Sequence, residues 1–419
     1  MADAAKQSRP KGTQDFLPPD SERLLRVETE FRRIAAAFGC REVITPIFEH
    51  TEVFVKSSGA ASDVVTKEMY SFTDRAGRGL TLRPEGTPGV VRAVLESRYR
   101  LPCRLYYVGP FFRYSRPQKG RHRQFHQLGV EVLGEPSPEV DAEVIYLGAD
   151  FFRSLGIDDC TVHVNSIGCV RCRPAYRQKL VTFLTVHVGE LCADCRVRIE
   201  SNPLRVFDCK NESCRRVVAD APRPRQHLCA ECGTNFEMVL AGLTARGLRF
   251  ELNDRLVRGL DYYNRTTFEY VSGALGAQDS LGGGGRYDYL VGEFGGPDTP
   301  GIGFALGLER TIIAAPQAPA PPRRRLAFIV WMSEAELAPA RTLLDRLRSQ
   351  GIAAQIDYGA RRAKAQFRSA DAADAACCVI VGGDELTRGV YSLKDLVTGE
   401  QTEVPADRLV ERLRTLLNG

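Results

Sequence analysis

The chain has 419 residues, of which 43% are hydrophobic and 26% are charged, and its formal net charge is +5. This length predicts two or three domains, and the mild charge permits an acidic partner without arguing for one. No apolar run approaches the roughly 18 residues of a membrane span, and the polar N-terminus lacks the apolar core of a signal peptide. We therefore expect a cytoplasmic protein whose thirteen cysteines are reduced or bound to metal.

The first elements are predicted to be a helix and a long strand. Apolar residues at helical spacing predict a helix over 21–38, with Ser21 as its N-cap and Gly39 as its stop. Residues 41–49 are typical of one long strand, although they include Pro46. Because proline cannot donate a hydrogen bond to a sheet, we expect this strand at a sheet edge or at the interface of a dimer.

A short strand, a polar loop and an apolar helix are predicted over residues 80–99. The helix is expected at Val90–Tyr99, and the loop before it carries Glu85 and Thr87. Loops between rigid elements often carry binding groups, so both side chains are candidates for a ligand site.

The stretch from Tyr106 to Gly134 is predicted to form two strands joined by a basic loop. Five basic side chains and no acidic one lie between Arg113 and Arg123. With a period of two, the second strand has an ordinary core face, and its other face carries Phe125, Gln127, Gly129 and Glu131. A ring, an amide, a gap and a carboxylate in a row suit the floor of a polar ligand site. The alternative is a solvent-exposed hairpin with a basic tip.

A helix over 141–155 and a strand over 161–165 lead into a segment rich in cysteine. Three C-x-x-C pairs and one looser pair comprise Cys169, Cys172, Cys192, Cys195, Cys209, Cys214, Cys229 and Cys232. Eight thiolates are enough for two structural zinc sites with four cysteine ligands each. The alternative is buried, reduced cysteine, and the four residues between Cys209 and Cys214 fit the zinc pattern less well.

The rest of the chain divides at a linker rich in alanine and proline, residues 314–322. Before it come a loop and strand from residue 253, a glycine run at 282–285 and a strand that leads into a helix at 301–313. Beyond it, alternating elements predict a small α/β domain. Its strands are predicted at 326–332, 353–357, 377–381 and 392–395, and its helices at 334–350, 363–373 and 408–417.

Six peptides, taken in order, resemble those of one known family. GPFFRYSRPQKGRHRQFHQLGVEVLG resembles motif 2 of class II aminoacyl-tRNA synthetases in the form that histidyl-tRNA synthetases use, and GIGFALGLER resembles motif 3. LVRGLDYY and GGRYDYL are similar to the two signature peptides of the histidyl-tRNA synthetase family, and KGTQDFLP and TLRPEGT also fit. The resemblance covers nearly the whole chain, and the shared order makes it specific.

The resemblance implies an α+β fold. A class II catalytic core with an antiparallel sheet would be interrupted by a helical, cysteine-rich insertion and followed by an α/β anticodon-binding domain. We expect the core at 1–168 and 246–316, the insertion at 169–245 and the anticodon-binding domain at 325–419. The family's insertion often has no cysteines, so this chain departs from many relatives there.

The implied activity joins histidine to tRNA in two steps. The carboxylate of histidine attacks the α-phosphate of ATP, which is bound with Mg²⁺, and the acyl group then passes to the terminal ribose of the tRNA. The resemblance makes Arg113 and Arg258 catalytic residues that hold the α-phosphate from two sides, and Arg258 stands where some related enzymes use a metal ion. The alternative role for Arg258 is a salt bridge with Asp254 or Asp261.

The resemblance also implies which residues bind the two small substrates. Besides Arg113, ATP would contact Arg121 and Arg310 at its γ-phosphate end and stack its adenine on Phe125. The histidine site would comprise Glu85, Gly86, Thr87, Gln127, Glu131, Arg258, Tyr262 and Tyr263. In that site Glu85 and Gln127 would bind the α-amino group, and Glu131 and Tyr263 the imidazole. For the paired tyrosines the alternative is core packing.

The implied partners are tRNA(His), ATP, L-histidine and a second copy of the chain, with no membrane. The basic loop 115–123 would face the acceptor end of the tRNA. One alternative function is a catalytically inactive, synthetase-like regulatory subunit of histidine biosynthesis. Such proteins generally lack the C-terminal domain and the arginines, whereas this chain keeps Arg113, Arg258 and Arg310. Another is a sensor of uncharged tRNA, which is usually attached to a kinase, and no kinase motif is present.

Overall fold

A computed structural model describes residues 7–58, 64–276, 279–316, 326–359 and 362–418. The chain divides into two compact units, Met1–Pro316 and Gln317–Gly419. None of the described helices is both long enough and apolar enough to cross a membrane.

The first unit is built on one large sheet. Its strands in chain order are β1 (Arg41–Glu42), β2 (Phe48–His50), β3 (Tyr70–Thr73), β4 (Gly79–Leu82), β5 (Cys103–Phe112), β6 (Gln124–Leu133), β7 (Thr161–Ser166), β8 (Phe250–Leu252), β9 (Asn264–Val271), β10 (Ser280–Arg286) and β11 (Gly301–Gly307). Eight of them form a sheet in the order β1-β5-β6-β11-β10-β9-β7-β8, and the other three form a small sheet in the order β2-β4-β3. The inner pairs of the large sheet are antiparallel, and its two edge pairs are parallel.

One group of helices covers one face of the large sheet, another forms the insertion, and two helices pack against the opposite face of the sheet. In the first unit they are α1 (Asp20–Ala37), α2 (Thr51–Ser58), α3 (Thr87–Glu96), α4 (Pro138–Ser154), α5 (Arg173–Val186), α6 (Ala193–Ser201), α7 (Glu212–Val217), α8 (Ala230–Ala245), α9 (Leu290–Glu293) and α10 (Leu308–Ala314). The two on the opposite face are α3 and α9, which lie beside β5. The main core joins α1, α4, α8 and α10 to the sheet, with Phe31, Phe151 and Phe304 in edge-to-face contacts. Leu128, Val130 and Val132 lie in this core, as predicted. The opposite face of β6 is therefore left for the site.

The prediction of one long strand over 41–49 is wrong. Residues 41–42 form β1, which pairs with β5, and residues 48–50 form β2 of the small sheet. The five residues between them, which include Pro46, cross from one sheet to the other. Both strands do lie at sheet edges, as the proline required.

The insertion is helical, as predicted. Helices α5 to α8 lie between β7 and β8, and part of the segment has an apolar core of its own that includes Tyr176, Leu180 and Phe207.

The second unit is a small α/β domain, as predicted. It contains β12 (Ala327–Trp331), β13 (Ala354–Ile356), β14 (Cys377–Val381), β15 (Val390–Asp395) and β16 (Gln401–Pro405), with α11 (Leu337–Ser349), α12 (Ala363–Ala372), α13 (Gly383–Thr387) and α14 (Leu409–Asn418). The strand order is β13-β12-β14-β15-β16. The sequence did not predict β16, because this mostly polar edge strand has only one buried side chain, Val404.

Candidate active site

The loop before α3 is fixed in place by arginine side chains. Arg83 donates from Nη1 to the carbonyl oxygen of Thr45 at 3.1 Å and from Nε to that of Pro110 at 2.8 Å. Arg113, which follows β5, donates from Nε to the carbonyl oxygen of Pro84 at 2.9 Å. The loop that carries Glu85 is therefore held against the end of β5.

The gap predicted at Gly129 in the row on β6 is filled by the ring of Tyr107. Gly129 pairs with Tyr107 of β5, and a Cβ on Gly129 would lie 2.1 Å from Tyr107 Cζ. The same ring lies against Gly86, where a Cβ would be 2.2 Å away. Glycine is thus needed at both positions because the tyrosine ring crosses them. The phenol oxygen of Tyr107 is buried and has no hydrogen-bond partner among the described residues, so it is able to bind a ligand.

Two buried carboxyl groups and several hydroxyls form a polar pocket beside this ring. Glu131 is fully buried and accepts from the Thr87 hydroxyl at 2.6 Å and from the Tyr287 hydroxyl at 2.5 Å. Glu85 accepts from the Tyr262 hydroxyl at 2.9 Å. In addition, Gln127 Oε1 is buried without a described partner. These groups can recognise a small molecule that has both donors and acceptors.

The charge state of this pocket is set by burial. Burial raises the pKa of Glu131 to about 8, against the hydrogen bonds from Thr87 and Tyr287, and the neighbouring Glu85 raises it further. Burial, together with Glu131 and Glu85, also raises the pKa of Tyr107 well above its ordinary value. The phenol therefore stays protonated at neutral pH and remains a donor.

The raised pKa of Glu131 predicts a pH-dependent stability. Between pH 4.5, the ordinary pKa, and about pH 8, the folded protein keeps a proton that the unfolded carboxyl group has lost. The free energy of unfolding must therefore fall as the pH rises through this window. We expect scanning calorimetry to show a smaller fall for Glu131→Gln, whose amide does not titrate, than for the wild type. Equal pH slopes for the two proteins would contradict the prediction.

The predicted phosphate-binding side chains lie at the other end of β6. The Arg113 guanidinium carbon lies 5.6 Å from the centre of the Phe125 ring. Burial lowers the pKa of Arg310, and the nearby charge of Arg121 lowers it further. Arg310 also donates from Nε to the carbonyl oxygen of Ser280 at 2.5 Å. Two guanidinium groups near one another favour an anionic ligand between them.

Arg258 lies between the polar pocket and this basic end. It donates from Nη1 to Glu269 Oε1 at 2.8 Å, and Ser280 donates to the same oxygen at 2.7 Å. Asp254 and Asp261, the partners expected for a salt bridge, bind Arg225 and Asn202 instead. Burial is the largest single influence on the pKa of Arg258 and acts to lower it, but Glu269, Tyr263 and Asp208 together outweigh burial and the pKa is raised. The arginine stays charged, and its buried Nε has no partner among the described residues.

The glycine run at 282–285 forms strand β10, with Arg258 and Tyr263 lying against it. A Cβ on Gly283 would be 3.0 Å from Arg258 Nη1, and one on Gly285 would be 2.9 Å from Tyr263 Cδ1. Side chains at these two positions would displace Arg258 and Tyr263, so the glycine run is needed for both residues to lie against β10.

The eight cysteines of the insertion form two separate clusters of four. One contains Cys169, Cys172, Cys229 and Cys232, and the other contains Cys192, Cys195, Cys209 and Cys214; within each, the sulfur atoms all lie within 4.8 Å of one another. Contacts of 3.8 to 4.0 Å join sulfur atoms in the first cluster, and one of 3.8 Å joins Cys192 to Cys209. Sulfurs around a tetrahedral zinc ion at ~2.3 Å are roughly 3.8 Å apart, so the donor sets fit this metal.

Three residues important to the site were not singled out from the sequence. Tyr107 fills the gap at Gly129, and Tyr287 binds Glu131, although Tyr287 belongs to the quoted peptide GGRYDYL. The neighbouring Arg286 is buried and bonds Asp141 of α4, which fixes β10 against the helix layer. A regular alternation along β10 and the loop after it could have indicated which side each residue faces, but the glycines remove that signal.

Comparisons with known proteins identify the family. A family model described as "Histidyl-tRNA synthetase" matches residues 12–311, and one described as "Anticodon binding domain" matches residues 327–416. Curated proteins named "Histidine--tRNA ligase" are 48% identical in Desulforudis audaxviator, over 97% of this chain and 98% of that one, and 46% identical in Desulforamulus reducens, over 96% and 98%. The crystal structure of apo S. aureus histidyl-tRNA synthetase is 34% identical, with a TM-score of 0.82 over 97% of this chain and 100% of that one. The chain therefore belongs to the histidyl-tRNA synthetase family.

Proposed function

We propose that the chain is a histidine–tRNA ligase that uses ATP. The observation that supports this function most strongly is the buried polar pocket around Glu131. Glu131 lies on β6, and the aromatic and basic side chains at the other end of that strand suit a nucleotide. The oxygen of the histidine carboxylate forms a bond to the α-phosphorus, the bond to pyrophosphate breaks, and histidyl-adenylate remains. A terminal ribose hydroxyl of tRNA(His) then attacks the acyl carbon, which releases AMP.

The proposed roles of the arginines follow from charge. Arg113 and Arg258 hold the α-phosphate from two sides and stabilise the charge that develops on it. Because arginine does not lose its proton near neutral pH, Arg258 can supply a fixed positive charge there. Arg121 and Arg310 bind the γ-phosphate end, and Phe125 stacks on adenine. Mg²⁺ enters with ATP as part of that substrate.

The proposed histidine site uses the polar pocket. Glu85 and Gln127 bind the α-amino group, with Gly86 and Thr87 beside them. The imidazole lies between Glu131 and Tyr263, with Tyr262 lining the pocket. Support comes from the burial of these groups and from the orphan oxygen of Gln127. A side chain unable to satisfy both polar ends would leave buried groups unpaired, which disfavours its binding.

Exchange of labelled pyrophosphate into ATP, measured with each of the twenty amino acids in turn, tests the function. We expect exchange with histidine alone, followed by histidine-dependent charging of tRNA(His). No exchange with histidine, or equal exchange with another amino acid, would contradict the proposed function. A regulatory subunit without catalysis would give no exchange with any amino acid.

We propose that each cysteine cluster holds one structural zinc ion. The clusters lie in the insertion and not in the polar pocket, so zinc serves the fold and takes no part in the chemistry. We expect metal analysis of protein purified without chelator to give two zinc ions per chain, and one for Cys214→Ser. Replacing Cys160, a cysteine outside both clusters, should leave the content at two. Less than one zinc ion per chain in the wild type would contradict this.

We propose that residues 1–168 and 246–316 form the catalytic core, residues 169–245 form the insertion, and residues 325–419 form the anticodon-binding domain. We also propose that the protein is a cytoplasmic homodimer. A dimer interface near β1 and β2 is supported by large apolar side chains that are exposed there, with Ile44 88% and Phe48 51% accessible. The basic loop 115–123 faces the acceptor end of the tRNA. We expect sedimentation equilibrium to give the mass of two chains, and Ile44→Asp to give that of one. A single-chain mass for the wild type would contradict the dimer.

A further inference from the structure

We propose that the cysteine-rich insertion positions Arg258, through contacts that its segment 202–208 makes with the loop 254–261. The inference rests on the proposed function, because it gives Asn202 and Arg205 a role in the activation of histidine. These two are positioning residues, since they act on Arg258 through the loop that carries it.

The apolar part of this contact lies immediately before Arg258. Val257 is 6% exposed and packs in the insertion's own core, together with Val206 and Phe207 of the segment. Cys195 and Cys214 belong to the same core. The residue next to the catalytic arginine is therefore buried in the insertion and not in the core of the sheet.

Polar contacts fix the loop on both sides of Arg258. Asn202 donates from Nδ2 to Asp261 Oδ1 at 2.5 Å, and Arg225 of the insertion forms an ion pair with Asp254 at 2.7 Å. At Gly259, directly after Arg258, a Cβ would lie 2.8 Å from Arg205 Nη1. The loop is thus contacted by the insertion at both ends and next to the arginine.

The start of the loop is attached to the sheet by hydrogen bonds. Asn165 of β7 donates from Nδ2 to the carbonyl oxygen of Leu256 at 2.9 Å. The backbone N–H of Asn253 donates to the carbonyl oxygen of Val164 at 3.0 Å. Between Leu256 and Tyr262, the insertion contacts Val257, Gly259 and Asp261. In the same span Arg258 binds Glu269 of β9, and Leu260 packs against the cluster that contains Tyr262 and Tyr263. The ion pair with Glu269 directs the Arg258 side chain toward β9, and the contacts with the insertion fix the backbone from which that side chain extends.

The segment 202–208 is itself anchored by one cysteine cluster. Cys195 and Cys209 lie on either side of the segment in sequence and belong to the same set of four sulfur donors. The Cys192 amide also donates to Cys214 Sγ at 3.2 Å within that set. The cluster closes both ends of the segment and so gives the loop a rigid partner.

Asn202→Ala tests the proposal, with Lys210→Ala as the matched control because Lys210 is an exposed side chain of the same insertion. We expect Asn202→Ala to fold with an unchanged circular dichroism spectrum and thermal midpoint. Deuterium uptake of the amides in a peptide over 254–263 should rise. The kcat of histidine-dependent exchange should fall about tenfold, with the KM for ATP within about twofold of wild type, because a displaced catalytic group costs rate.

A double-mutant cycle separates positioning from a merely structural effect. In an Arg258→Lys background, Asn202→Ala should lower kcat by less than about twofold, because the group that it positions is already replaced. An equal loss in both backgrounds, unchanged deuterium uptake, or exchange equal to that of Lys210→Ala would each overturn the proposal. Failure of the wild type to exchange with histidine would instead remove the proposed function, and the deuterium measurement would still test the contact.

Discussion

Arg258→Ala is expected to lower histidine-dependent pyrophosphate exchange by about 10³-fold while the protein stays folded. Removing a charged donor that acts on the developing charge of a transition state typically costs a factor of about 10² to 10⁵. Arg258 fits that role because it is charged, largely buried and within reach of both ends of the site. Its partner Glu269 keeps the hydrogen bond from Ser280 after the substitution, so the carboxylate is not left alone. The measurement is single-turnover adenylate formation at saturating ATP and histidine.

Two variants make this result interpretable. Arg258→Lys keeps the charge but loses the planar fork, and should fall between the wild type and the alanine variant. Arg255→Ala removes an exposed arginine three residues earlier and should leave the rate unchanged. Near-normal adenylate formation by Arg258→Ala would refute its catalytic role, and equal effects at both positions would point to a disturbed loop.

Glu85→Ala is expected to lower kcat/KM for histidine by about 10²-fold and to leave the KM for ATP nearly unchanged. The substitution removes the proposed acceptor of the α-amino group and leaves the Tyr262 hydroxyl without its bond. A buried, charge-assisted hydrogen bond is worth enough to account for a loss of this size. Steady-state exchange at varied histidine concentration measures it.

Two histidine analogues identify the group that Glu85 binds. Histidinol keeps the amino group and lacks the carboxylate, whereas imidazolylpropionate keeps the carboxylate and lacks the amino group. Glu85→Ala should weaken competitive inhibition by histidinol about 30-fold and that by imidazolylpropionate less than about threefold. Glu96→Ala, an exposed carboxylate on α3, should change neither. Equal weakening of both analogues would reject the amino-group assignment.

Local patterns in the sequence were sufficient to predict most elements of the fold. The period of two along β6 separated its core face from the face of the site, and both faces are found where it placed them. The helical spacing predicted α1, although the helix begins at Asp20 and not at Ser21. The prediction of one strand over 41–49 was wrong because a local pattern of β-forming residues does not show which sheet each part of the segment joins.

The site was predictable only where side-chain identity decides the outcome. The peptides around Arg258 and Glu131 predicted which residues belong to the proposed site. Contacts made through space were not predictable, because Tyr107 reaches Gly86 and Gly129 from another strand. Likewise, the eight cysteines predicted two sites of four ligands each, but the sequence did not show which four cysteines share a cluster, because that depends on how the helices of the insertion pack together.

The first cysteine cluster has a consequence for the order in which the chain folds. It joins Cys169 and Cys172, just after β7, to Cys229 and Cys232, at the start of α8, and β7 pairs with β9 in the sheet. Closing a loop of about 60 residues costs roughly 4 kcal/mol of chain entropy. If the proposed zinc ion binds there early, its binding offsets that cost before the sheet forms and shortens the chain path between β7 and β9. The yield of refolding should then depend on the zinc concentration, even though zinc takes no part in the proposed reaction of the folded enzyme.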